Sequence, residues 1–102
     1  MGELIRICSK AELPEVGHAR EFQAAGKTLC IANVDGVFRA VDNVCPHRGG
    51  PLSEGTIEEG RIVCAWHGWS FDPISGRASH FLQSGIAVYE LSIEDNDVYV
   101  RI

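Results

Sequence analysis

Apolar and polar positions alternate through the last third of the chain. Ala87, Tyr89, Leu91 and Ile93 interleave with Val88, Glu90 and Ser92. After Glu94-Asp95-Asn96, the run Asp97-Val98-Tyr99-Val100-Arg101-Ile102 puts Val98, Val100 and Ile102 on one face. A period of two marks strands with one buried face, so this stretch predicts a hairpin with those three residues in the core. Asp35-Gly36, between the strand-like runs Lys27–Val34 and Val37–Asp42, predicts a second hairpin, because Asp-Gly suits the tight turns that match strand twist. Thr56–Glu59 and Arg61–Ala65 flank Gly60 as a short third one. Ser9-Lys10-Ala11-Glu12 has the spacing of a capping box, yet Pro14 follows at once and biases Leu13 away from helix, which limits this segment to one turn. Short strands, frequent turn signals and no sustained helical period predict an all-β sandwich or barrel of short antiparallel strands.

Composition narrows the function classes. A chain of 102 residues has room for one domain and one core, so residues 1–102 are expected to form a single domain. Hydrophobic residues make up 45% and charged residues 23%, a globular balance. The net charge of −5 argues against a nucleic-acid partner, which would call for clustered Lys and Arg. No stretch approaches eighteen apolar residues, so no helical membrane span is expected. The start Met1-Gly2-Glu3-Leu4-Ile5-Arg6 carries neither an export pattern nor a myristoylation signal. The expectation is a cytoplasmic monomer, where a reducing environment favours thiols or metal ligands over disulfides.

The four cysteines separate by context. Cys8 and Cys30 lie in the apolar runs Leu4-Ile5-Arg6-Ile7-Cys8 and Leu29-Cys30-Ile31-Ala32, where a thiol acts as a small core side chain. Cys45 and Cys64 lie in turn-rich segments, and each precedes a histidine: Cys45-Pro46-His47 and Cys64-Ala65-Trp66-His67, with sixteen residues between His47 and Cys64. Two soft thiolates and two imidazoles complete a metal site. Zinc takes such a set, although zinc fingers usually group cysteines with cysteines and histidines with histidines. Here each segment holds one of each. His18 and His80 have no cysteine nearby in sequence.

The mixed pattern resembles that of the Rieske iron-sulfur family, Cys-x-His in one loop and Cys-x-x-His in a second. The resemblance extends through Cys45-Pro46-His47-Arg48-Gly49-Gly50-Pro51-Leu52 and Cys64-Ala65-Trp66-His67-Gly68-Trp69-Ser70-Phe71-Asp72, followed by Ser75-Gly76. It implies a Rieske-like β fold with a cluster-binding subdomain of two loops, about residues 45–52 and 64–71. It also implies one [2Fe-2S] cluster, with Cys45 and Cys64 on one iron and His47 and His67 on the other. Two ferric ions, two sulfides and two thiolates sum to zero, so the oxidised cluster would leave the chain at −5 and one electron would make it −6. With every iron position filled, such a cluster would carry electrons and bind no substrate.

Respiratory members add a disulfide between the loops and a Ser and a Tyr that hydrogen-bond the cluster sulfurs. At the corresponding positions this chain has Gly50 and Trp66, and Trp69 and Phe71. Without those hydroxyls the resemblance implies a potential near the low end of the Rieske range, about −150 mV. The chain most resembles the Rieske-type ferredoxins of bacterial ring-hydroxylating dioxygenase systems. The resemblance implies a non-enzymatic shuttle that takes electrons from a flavin-dependent NAD(P)H reductase and docks near His47 and His67 on a terminal oxygenase for aromatic hydrocarbons. Two alternatives stand beside it: the Rieske-like small subunit of an assimilatory NADH-dependent nitrite reductase, and a zinc-stabilised structural or interaction module. The glycines of the loops would let backbone N–H groups approach the cluster, and Trp66 and Trp69 would shield it. Arg48 is a candidate docking charge.

Overall fold

The structure, a computed structural model, describes residues 3–45, 50–65, 69–78 and 85–102. Among them nine strands run in order: β1 (Leu4–Ser9), β2 (Ala19–Ala24), β3 (Lys27–Val34), β4 (Val37–Asp42), β5 (Thr56–Glu58), β6 (Arg61–Val63), β7 (Ser70–Phe71), β8 (Val88–Glu94) and β9 (Asp97–Arg101). Six pair in the order β1-β9-β8-β4-β3-β2, and this antiparallel sheet curls until β1 approaches β2 as a nearly closed barrel. The order β5-β6-β7 forms a smaller antiparallel sheet.

The turn chemistry set the hairpins where the sequence placed them. Val34 pairs with Val37 across Asp35 and Gly36, whose φ values of 53° and 91° are those of a tight turn that L residues resist and Gly accepts freely. Lys27–Val34 and Val37–Asp42 coincide with β3 and β4. The hairpin around Glu59 and Gly60 is shorter than expected, ending at Glu58 and starting at Arg61, because pairing stops as the chain leaves for the second loop at Cys64. In β9, Val98 and Val100 are fully buried as expected. Ile102 is a correction: it lies just beyond β9 and is only half-buried, packing against the edge of the barrel cluster. Ser9–Glu12 forms a single 3-10 turn, residues 10–12, held by the Glu12 carboxylate, which accepts from the Ser9 backbone N–H (2.8 Å) and Oγ (3.1 Å).

Strand β3 explains how the two sheets join. Leu29, Cys30, Ile31, Ala32 and Asn33 are all buried, the continuous pattern of a strand covered on both faces. Leu29 and Ile31 pack inside the barrel with Ala24, Ala40 and Val100. Cys30 and Ala32 point the other way, with Val41 of β4, into a second cluster completed by Cys45, Leu52, Ile62, Cys64, Phe71 and Ala78. The outer face of one barrel wall is thus the floor on which the segment carrying Cys45 and Cys64 is built. Each large apolar side chain buried there contributes about 1.5–3 kcal/mol, so this floor is also what fixes the segment in place.

Candidate metal centre

The two segments singled out by their Cys and His residues are closed in the same way. The Cys45 backbone N–H donates to the Gly50 carbonyl (2.8 Å), and the Cys64 N–H donates to the Trp69 carbonyl (2.7 Å). In both, a cysteine opens a loop whose base is shut by a bond to the residue five positions on. The first loop is braced again by the Val44–Pro51 bridge and by the Leu52 N–H, which donates to the Asn43 carbonyl (2.8 Å). The second is braced by β6 and β7, where Val63 pairs with Ser70 and Ile62 with Phe71.

Both cysteines are buried to 2% exposure and lie in one packed cluster, with no disulfide between them. Two unbridged thiols brought to one place by two loops of matching closure fit the thiolate half of a metal centre. His47 and His67 lie outside the described residues, as do Arg48, Gly49, Trp66, Gly68 and His80. Among the described residues no group of three or more His, Cys, Asp or Glu side chains gathers elsewhere to hold a metal.

The other two cysteines are core thiols. Burial pushes Cys30 up to about 12, so it stays protonated and neutral. Burial, with the nearby Glu12, also raises Cys8. Around the second loop, Trp69 is half-buried against the same cluster, and its ring lies 6.4 Å from that of Phe71, tilted by 40°. Phe71 is fully buried. A following turn closes the subdomain: Asp72 accepts from the Ile74 N–H (2.8 Å) and the Ser75 N–H, and those bonds hold its carboxyl below the usual range. Gly76, at φ 80°, lies so close to the Ile86 carbonyl that a Cβ there would overlap its oxygen. Asn43, which the sequence pattern did not single out, is buried at 3% exposure two positions before Cys45. A polar residue at the end of an apolar strand was the only signal for it.

The profile of the Rieske [2Fe-2S] domain family matches residues 3–90. The chain belongs to this Rieske family. Its cofactor is accordingly one Rieske-type [2Fe-2S] cluster. The chain is 34% identical to human apoptosis-inducing factor 3 over 97 residues, 93% of this chain but 16% of that protein, so it spans about a sixth of that relative. It is similar along the full length of both chains to a ferredoxin of Sphingomonas yanoikuyae B1, at 32% identity with a TM-score of 0.85, covering 98% of this chain and 99% of that one. The ferredoxin in a complex of reduced oxygenase and oxidised ferredoxin from carbazole 1,9a-dioxygenase is 26% identical with a TM-score of 0.80, covering 94% and 99%. The Rieske fold alone is shared with a nitrite reductase small subunit of Mycobacterium tuberculosis, at 17% identity and a TM-score of 0.89 over 100% and 96% of the chains.

Proposed function

We propose that this Rieske protein is a low-potential ferredoxin, a single-domain monomer that carries one electron at a time from a flavin-dependent NAD(P)H reductase to a terminal oxygenase that hydroxylates aromatic rings. The observation that carries the reading is the pair of buried thiols, Cys45 and Cys64, at the mouths of two identically closed loops. These two would hold one iron as thiolates, and His47 and His67 the other through ring nitrogens. The bound cluster supplies a reversible one-electron couple. The chain's own part is to hold it and exclude water. The cluster-side face of β3 and β4, with Leu52, Ile62 and Phe71, forms an apolar floor, and Trp69 packs on its rim. Trp69 and Phe71 present no hydroxyl to stabilise added negative charge, which supports a potential near the low end of the Rieske range, about −150 mV. Similarity along the whole of two ferredoxins, one of them in complex with an oxygenase, supports the partner class.

Electrons would leave beside His47 and His67, with Arg48 as a docking charge. The test is reconstitution: the purified protein added to a flavoprotein reductase, NADH and a ring-hydroxylating oxygenase should restore product formation, and Arg48→Glu should slow electron delivery. Retrieval of a sirohaem protein as the tight partner, with no oxygenase turnover, would instead favour a nitrite reductase subunit.

A further inference from the structure

Among the described residues two polar side chains are buried, Asn33 and Asn43, and they lie at opposite ends of the barrel. Asn33 serves the far end. It donates from Nδ2 to the Pro14 carbonyl (3.0 Å) and accepts from the Gly36 N–H (2.8 Å), tying the β3–β4 turn to the chain before β2. Asn43 serves the near end, where β4 runs into the first cluster loop. Its backbone N–H donates to the Thr28 carbonyl (3.1 Å), and its carbonyl accepts from the Leu52 N–H (2.8 Å). Its side chain is used at both ends as well: Oδ1 accepts from the Ser53 N–H (2.7 Å), and Nδ2 donates to Glu21 Oε1 on β2 (3.0 Å). One residue therefore connects β2, β3 and the 3-10 turn at residues 52–54 that follows the loop.

We propose that Asn43 is the positioning residue of the first cluster loop: its amide clamps the segment after the loop to the barrel wall and thereby fixes Cys45. This rests on the reading of Cys45 as a cluster ligand. The loop leaves β4 at Asn43 and returns at Leu52 and Ser53, so the returning side of its neck is bonded twice to the residue on the outgoing side. The amide of Asn or Gln offers an acceptor and a donor on one uncharged planar group, and the shorter of them reaches both partners from this position. An aliphatic replacement leaves the half-buried Ser53 N–H without its side-chain acceptor at the loop's base, and the Cys45–Gly50 bond then closes the loop with less support. Asn33 provides the internal comparison, because it does the same structural work at the end of the barrel that holds no cluster ligand.

The experiment uses holo-protein in five forms: wild type, Asn43→Leu, Asn43→Asp, Asn33→Leu and Glu21→Gln. The readouts are the EPR line shape of the reduced protein, the rate of cluster loss to a chelator under conditions where each form stays folded, and the thermal midpoint. Loss of the Asn43 side-chain bonds corresponds to cluster loss about tenfold faster in Asn43→Leu than in wild type, accompanied by a changed line shape. Asn33→Leu should lower the midpoint by a similar amount yet keep the wild-type line shape and loss rate. Glu21→Gln, which preserves an acceptor for Nδ2, should behave as wild type. Asn43→Asp keeps the Ser53 acceptor but sets a carboxylate against Glu21, so it should show the same direction of change and serves if Asn43→Leu does not fold. Equal loss rates and unchanged spectra in the Asn43 and Asn33 variants would overturn the proposal. A wild-type protein without the cluster signal would overturn the ligand reading itself and the inference with it.

Discussion

At the scale of single residues, burial and context divide four thiols into two kinds. Cys30 sits in the middle of a strand with both faces covered and is held neutral by its surroundings, whereas Cys64 opens a loop. Cys30→Ala should therefore keep the visible spectrum and cost about 1–2 kcal/mol of stability through a small cavity, while Cys64→Ala should abolish the spectrum. Absorption spectra and chemical denaturation of the two variants check this. The side chains at 69 and 71 bear on potential. Phe71→Tyr combined with Trp69→Ser adds two hydroxyl donors near the second loop and should raise the midpoint potential above the wild-type value in a redox titration. Cys45, Cys64, Trp69 and Phe71 were all legible in the sequence because motif spacing identifies them. Asn43 was not, because a lone Asn after a strand reads equally well as a turn residue, and its role depends on contacts with Glu21 and Ser53, twenty-two and ten residues away.

At the scale of elements, period-two alternation and turn residues located the β3–β4 and β8–β9 hairpins well, since both signals are local. The β2–β3 hairpin turns on Ala25-Gly26, which gives a weaker signal than Asp-Gly, and no local pattern marks it out. Nor does alternation reveal which strands from different hairpins meet. The join between β4 and β8 is short, with Ala40 opposite Tyr89 and Val41 opposite Val88, and the Tyr89 hydroxyl reinforces it by donating to Asp42 Oδ1 (2.7 Å). Partial burial and then that bond raise Tyr89 to about 12 from an ordinary value near 10. A raised folded value favours the protonated, hydrogen-bonded phenol. Its contribution to stability is thus complete below pH 10 and is lost as the pH rises through about 12. The thermal midpoint of wild type should fall more steeply between pH 10 and 12 than that of Tyr89→Phe, and parallel curves would show that the bond does not hold this seam.

At the scale of the whole molecule, a barrel wall with two apolar faces does two jobs: one face closes the barrel core and the other supports the cluster loops. The sequence showed β3 as an apolar run but gave no sign of what its second face would meet, because that contact comes from residues 45–78, beyond the next hairpin. The net charge of −5 suits transient docking on basic faces of the proposed reductase and oxygenase partners. The rates of electron transfer from the reductase and to the oxygenase should fall as salt rises from about 0.01 to 0.15 M, where the Debye length shrinks from about 30 to 8 Å. Stopped-flow rates that ignore salt would remove the electrostatic part of the docking account. The central claim is the cluster and its mixed ligands, and one measurement addresses it most directly: visible absorption and EPR of the purified protein before and after reduction, with iron and acid-labile sulfide quantified on the same sample. The account predicts a coloured protein with two irons and two sulfides per chain and a Rieske-type EPR signal on adding one electron. A colourless protein holding one zinc per chain and silent on reduction would contradict it.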